Sequence, residues 1–192
     1  MGALTGYKIF IDAGHGGSDA GATYGTLYEK NLTLDIANRL KTHLEAKGAT
    51  TQMSRTGDTN PTLSTCTSAS NSFGADIFVS VHNNAGGGTG VETWVHDNSS
   101  STTNSLAGYV NNKLASYLSA SNRGVKKAPS QRGENIYVLD PVNIKAWAIL
   151  SEVLFIDNST DRAKLQNSTY LQKAAEAISD GISQFVLTLP PK

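Results

Sequence analysis

ADIFVSVHNNA, Ala75 to Ala85, decides the fold. From Asp76 to Val81 it is short, apolar and rich in β-branched and aromatic residues, with Gly74 before it and His82-Asn83-Asn84 after it. Such a run reads as a strand buried on both faces, as in a parallel sheet. Working outward, Lys8–Asp12 (KIFID) and Ala148–Leu154 (AILSEVL) repeat the pattern, and Thr50–Ser54 and Ile136–Leu139 add shorter strands. Val91–His96 alternates Val91, Thr93 and Val95 with Glu92, Trp94 and His96, which predicts a strand with one face in solvent.

Helical patterns separate these runs. Glu29–Lys47 carries Ile36, Leu40 and Leu44 at helical spacing and is followed by Gly48, a C-cap residue. Thr62–Phe73 is a second helix ended by Gly74, Ser105–Leu118 a third, and Tyr170–Leu187 a last one with Leu171, Ile178, Ile182 and Phe185 on one face. The short run NSSSTTN (Asn98–Asn104) reads as a loop, and Ser119–Asn135 as an irregular basic segment. Strands alternating with helices predict a single α/β domain over residues 1–187, with a mostly parallel six-stranded sheet flanked by helices. The closing LTLPPK makes residues 188–192 the expected start of a linker.

Composition narrows the partners. A chain of 192 residues buries a proper core without staples. Zero net charge argues against nucleic acid as a partner. No apolar run reaches the roughly 20 residues of a membrane span, so no membrane insertion is expected, and the expected state is a monomer. MGALTGYKIF lacks the basic and then apolar pattern of a signal peptide. The single cysteine, Cys66, rules out an internal disulfide and a Cys-rich metal site, and reads as a small buried residue.

His15, His82 and Glu152 each stand where an apolar run stops. In open α/β sheets the ligand crevice lies outside the carboxyl ends of the strands, so the three side chains are expected to converge. Glu29, on the buried face of the first helix with Ile36 and Leu40, joins them. Taken singly, His15 also reads as a loop histidine, Glu29 as an acid offsetting the helix macrodipole, and His82 as a core histidine bonded to a carbonyl. Glu152 is harder to explain away, because a carboxylate among Leu150, Val153 and Leu154 must be paired or functional. Together, two imidazoles, one carboxylate ligand and a spare carboxylate form the donor set of a zinc hydrolase. Asn84 offers an amide to a substrate oxygen or a ligand, Asp12 a hold on a ligand's second ring nitrogen. His43 and His96 are expected to stay outside the site.

DAGHGGSDAGA (Asp12–Ala22), YEKNLTLDIANRL (Tyr28–Leu40), ADIFVSVHNNA with GVETWV (Gly90–Val95), and ILSEVLFIDN (Ile149–Asn158) occur in that order. Together they resemble the zinc-dependent N-acetylmuramoyl-L-alanine amidases of the type-three family, bacterial and phage enzymes that cut peptidoglycan. The resemblance runs from about Ile9 to Phe185 and implies a twisted six-stranded sheet. It places the ligands of one Zn2+ on His15, Glu29 and His82, and the catalytic glutamate on Glu152. The implied reaction is hydrolysis of the amide between the muramic lactyl group and L-alanine, with Glu152 as general base. A zinc peptidase of the stem peptide and a non-catalytic wall-binding module are the alternatives. The lack of a signal peptide resembles a phage endolysin, made in the host cytoplasm and released at lysis through a holin-type pore. The basic loop from Arg123 to Arg132 is expected to meet stem-peptide carboxylates or to be merely solvated. Two positions depart from the family pattern: Cys66 where an arginine is usual, and Leu154 where glycine is usual.

Overall fold

The computed structural model describes residues 2–191; Met1 and Lys192, the outermost residues of the expected domain and tail, lie outside the described residues. In chain order the elements are β1 (Lys8–Ala13), a hairpin of β2 (Thr23–Tyr24) and β3 (Leu27–Tyr28), α1 (Glu29–Ala46), β4 (Thr50–Met53), α2 (Leu63–Phe73), β5 (Ile77–Asn84), β6 (Val91–His96), α3 (Ser101–Tyr117), β7 (Asn122–Ala128), β8 (Trp147–Phe155), α4 (Ser159–Leu165) and α5 (Ser168–Val186). A single 3₁₀ turn, Tyr137–Leu139, precedes β8. The large sheet has the order β4-β1-β5-β8-β6-β7. β4, β1, β5 and β8 run parallel, β6 is antiparallel to β8, and β7 is parallel to β6. This is the mostly parallel six-stranded α/β domain expected from the sequence.

The period of two along each strand divides the apolar residues between two cores. Ile9, Ile11, Ile77, Val79, Ile149 and Val153 face the larger core, which α1, α3 and α5 cover with Ile36, Leu40, Leu114, Ile178 and Phe185. Phe10, Phe78, Trp94, Ala148 and Leu150 face a smaller one, closed by Ala128, Ile136, Val138, Leu139 and Ile144. Phe10 and Phe78 stack there with ring centroids 5.6 Å apart. Further along the same face come Ser80, then His82 and Glu152, which are register partners, as are Glu152 and Glu92. The second face of the sheet thus changes from apolar core to polar site within one strand length.

Four expectations need correction. β6 is buried on both faces, because the segment from Ala128 to Ile144 covers the side expected in solvent; Glu92, Trp94 and His96 are all buried. The sixth strand is β7, inside the stretch read as irregular, and not Ile136–Leu139, which makes the 3₁₀ turn. β7, an edge strand, exposes Asn122, Arg123 and Lys127 and has little apolar periodicity, which hides it from pattern reading. Asn98–Asn104 is not all loop: Ser100 accepts a hydrogen bond from the Thr103 amide and caps α3, which begins four residues earlier than expected. α4 was not expected either. Asn158 caps it by accepting from the Thr160 and Asp161 amides.

Candidate metal centre

β1 delivers the chain into Gly14-His15-Gly16-Gly17. A Cβ at Gly14 would lie 2.4 Å from the His82 ring, and one at Gly21 only 2.6 Å from the Glu29 carboxylate and the His15 ring. Glycine at these two positions is therefore what lets the backbone close on the side chains. His15 itself adopts φ 62°, a left-handed conformation that costs a non-glycine residue about 1–2 kcal/mol. Reciprocal Gly16–Asp19 backbone hydrogen bonds of 2.9 Å hold the turn, and Asp19 Oδ2 lies 2.9 Å from His15 Nδ1. That contact orients the ring and leaves Nε2 facing inward.

Glu29 opens α1 with its carboxylate divided between two partners on each side. Oε2 lies 3.2 Å from His15 Nε2 and accepts the Ala22 amide at 2.8 Å. Oε1 lies 3.2 Å from His82 Nδ1 and accepts the Asn83 amide at 2.8 Å. The two imidazoles meet edge to face, with centroids 4.8 Å apart. One ligand atom from each of His15, Glu29 and His82 falls within 4.8 Å of the others, the three residues expected to converge. Two donors about 2.1 Å from one tetrahedral zinc stand about 3.4 Å apart, so the two imidazole–carboxylate separations already suit a shared ion.

Electrostatics favour a cation at this spot. Burial opposes charge on Glu29, yet the imidazoles outweigh it and hold the carboxyl well below the ordinary carboxylate range. Burial also opposes charge on His15, but Glu29 and Asp19 lift its pKa to about 9. His82 is likewise raised, by Glu29 and Glu152 against burial. Without metal, protons supply the positive charge that these surroundings favour. A divalent ion held by neutral imidazoles and an ionised carboxylate meets the same demand, so the residues fit it.

Glu152 is treated differently. Burial, reinforced by the Glu29 and Glu92 carboxylates and opposed by His82 and Arg132, pushes its pKa up to about 7. Its Oε2 is buried without a hydrogen-bond partner among the described residues. An orphaned carboxylate oxygen costs free energy unless a task requires it. Glu152 does not end its strand as expected: β8 continues to Phe155, with a register shift against β5 between His82 and Asn84. Leu154 sits at this irregularity with φ 64°, which explains why glycine suits the position; here a buried leucine side chain offsets the strain.

These groups line a cleft of about 560 Å³, with Asp12, Asn84, Leu63, Arg132 and Tyr137 among its other walls. Asp12 does not hold the His15 or His82 ring as expected; its Oδ2 accepts from Ser80 Oγ at 2.6 Å, and Asp19 lies against the His15 ring instead. Asn84 is engaged within the protein, its Nδ2 donating to Glu92 Oε1 at 3.0 Å and its Oδ1 accepting the Ala85 amide. Glu92, which the sequence reading missed, also accepts from Trp94 Nε1 and pairs with Arg123 at 2.7 Å. Arg55 was missed too. It is buried and donates to Ala13, Gly14 and Lys30 carbonyls, tying the His15 turn to the first turn of α1. Its signal was faint: one arginine directly after a strand. Cys66 is buried as expected, with burial and Asp12 pushing its thiol up to about 12. His43 contacts Gln172 on α5, and His96 is buried with Nδ1 accepting the Asn98 amide. Both stay outside the cluster.

A family model described as N-acetylmuramoyl-L-alanine amidase matches residues 9–184. The chain is 39% identical over 179 residues to the sporulation-specific N-acetylmuramoyl-L-alanine amidase of Bacillus subtilis, covering 92% of this chain and 67% of that protein. It is 40% identical over 183 residues to the amidase LytC of the same organism, covering 93% of this chain and 35% of the relative. Among solved structures, the N-acetylmuramoyl-L-alanine amidase from Clostridium difficile 630 superposes with a TM-score of 0.83 at 34% identity, covering 95% of each chain.

Proposed function

Because the chain belongs to the N-acetylmuramoyl-L-alanine amidase family, we propose that it cuts the lactyl–L-alanine amide with one zinc ion held by His15, Glu29 and His82, and with Glu152 as general base. At the coarser level, the chain is an amidase of the cell wall, and its substrate is peptidoglycan. The observation that carries the finer reading is the convergence of three ligand atoms beside a glutamate oxygen with no partner.

When bound, zinc supplies a Lewis acid for the lactyl carbonyl and makes water acidic enough to serve as a nucleophile near neutral pH. Asp19 fixes the His15 ring, and the Ala22 and Asn83 amides fix both oxygens of Glu29, so the ligands need little rearrangement. Glu152, whose carboxyl lines the cleft, takes the proton of the attacking water. The carbon–oxygen bond forms, the amide carbon–nitrogen bond breaks, and Glu152 returns the proton to the departing alanine nitrogen. Burial and the neighbouring carboxylates, which disfavour charge on Glu152, suit it to take up a proton and pass it on. Asp12 and Asn84 shape the cleft wall, where they hold Ser80 and Glu92.

The relatives named above are bacterial amidases, one of them sporulation-specific by name, so the phage origin expected from the sequence gains no support from them. Among the described residues no helix is long and apolar enough to cross a membrane. Digestion of purified cell walls tests the reaction. The expected products carry new alanine amino termini and no new reducing sugar ends. Another newly freed amino acid would indicate a peptidase, and wall binding without any cleavage would indicate a non-catalytic module.

A further inference from the structure

The wall of the cleft opposite the sheet is the loop from β7 to β8, and it bears Arg132, the sole lysine or arginine among the described residues lining the cleft. The turn beneath it is built to hold a position. Arg132 and Gly133 amides donate to the Pro129 carbonyl at 3.2 and 2.7 Å, and the Gln131 amide to the Lys127 carbonyl at 2.9 Å. Asp97, just beyond β6, accepts both the amide and the hydroxyl of Ser130. The guanidinium carbon lies 5.6 Å from the centroid of Trp94, whose own indole is fixed by Glu92.

Most of the guanidinium is nevertheless available. Its one side-chain hydrogen bond among the described residues runs from Nε to Glu134 Oε1 at 3.2 Å, and the Glu134 side chain is 72% exposed. Such an exposed pair is weak and gives way to a better placed carboxylate. Arg132 also acts electrostatically on Glu152, which puts it within range of the reacting end of the cleft.

Substrate chemistry supplies the partner. In stem peptides, the residue after L-alanine is a D-glutamyl unit joined onward through its side-chain carboxyl, so its α-carboxyl is left either free or amidated. It stands one residue beyond the alanine whose nitrogen is released, roughly 4–8 Å from the scissile bond at about 3.8 Å per residue.

Resting on the amidase reading above, we propose that Arg132 binds the free α-carboxylate of the second stem residue, so that this chain prefers acidic stems over stems amidated at that position. A planar guanidinium donates two parallel hydrogen bonds to a carboxylate; a carboxamide offers one acceptor oxygen and no charge.

The test compares two muropeptides that differ only in this group, using the zinc-loaded chain. Wild type is expected to favour the carboxylate about 10- to 100-fold in kcat/KM. Arg132→Gln should erase that preference by lowering kcat/KM on the carboxylate substrate far more than on the amidated one, and Arg132→Lys should restore part of it. Equal wild-type rates on both substrates would overturn the proposal, as would an equal loss on both in Arg132→Gln. A second readout needs no turnover: NMR titration with L-alanyl-D-glutamate and L-alanyl-D-isoglutamine. Tighter binding of the first, lost in Arg132→Gln, supports the assignment, and equal affinities contradict it. If neither muropeptide is cut, the amidase reading fails, and the dipeptide titration still decides the role of Arg132.

Discussion

The head of α1 and the middle of β8 each bring a buried glutamate to one cleft and treat it in opposite ways. Glu29 faces two imidazoles and accepts two backbone amides, so its charge is stabilised despite burial. Glu152 has an oxygen with no partner and lies in register between His82 and Glu92, so its charged form is disfavoured. Two carboxylates whose environments push their pKa values apart suit the ligand and proton-transfer roles proposed for them. The Ala22 amide, in the turn before β2, and the Asn83 amide, at the irregular end of β5, both donate to Glu29, whereas no donor among the described residues reaches Glu152 Oε2. The difference follows from where the backbone leaves N–H groups unpaired.

The sharpest break of this comparison is Glu152→Gln. Loss of the general base should lower kcat about 10³-fold or more while zinc content stays at one per chain. Turnover near the wild-type rate, in a variant with normal metal content, would take Glu152 out of the chemistry. Next comes Glu29→Gln. Removing a charged ligand should weaken zinc by about 100-fold or more, as read by competition with a chelator. Unchanged affinity would show that Glu29 is not a ligand.

A smaller effect appears in stability. In metal-free protein the folded pKa of Glu152, about 7, exceeds its ordinary value of 4.5. The unfolded chain therefore releases this proton first, and stability falls as pH rises from 4.5 to 7, by about 3 kcal/mol in all. Metal-free Glu152→Gln should accordingly be more stable than wild type at pH 8 and no more stable at pH 4, by denaturant melts. The His15–Glu29 pair adds a loss of its own. Its stabilisation through His15 is complete below pH 6.5 and lost as pH rises through about 9, in variant and wild type alike. Parallel pH profiles for the two proteins would refute the raised Glu152 value. The smallest shift belongs to Glu92→Gln. Removing that like charge should move the acid limb of the pH–rate profile to lower pH; movement to higher pH would contradict its role.

Much of this was legible in the sequence because the His–Glu–His half of the site is local chemistry at the ends of regular elements. His15 and His82 follow apolar runs, Glu29 heads an amphipathic helix, and all three converge as expected. The opposite wall was harder to read. Glu92 was assigned to solvent because period-two alternation shows which face a side chain takes, not whether another segment covers it. β7 lacked an apolar pattern because it lies at the sheet edge. The supports of the ligands, Asp19 and Arg55, act through hydrogen bonds to backbone and ring atoms, which leave no periodic trace. Asp12 illustrates the reverse error: adjacency in sequence suggested a hold on an imidazole, and the strand pleat directs it to Ser80 instead.

The most direct test strips the protein with a chelator and titrates zinc back while following both bound metal and release of alanine amino termini. The account predicts no hydrolysis by the stripped chain and full recovery at one equivalent, with saturation at that point. Undiminished hydrolysis by metal-free protein would contradict it.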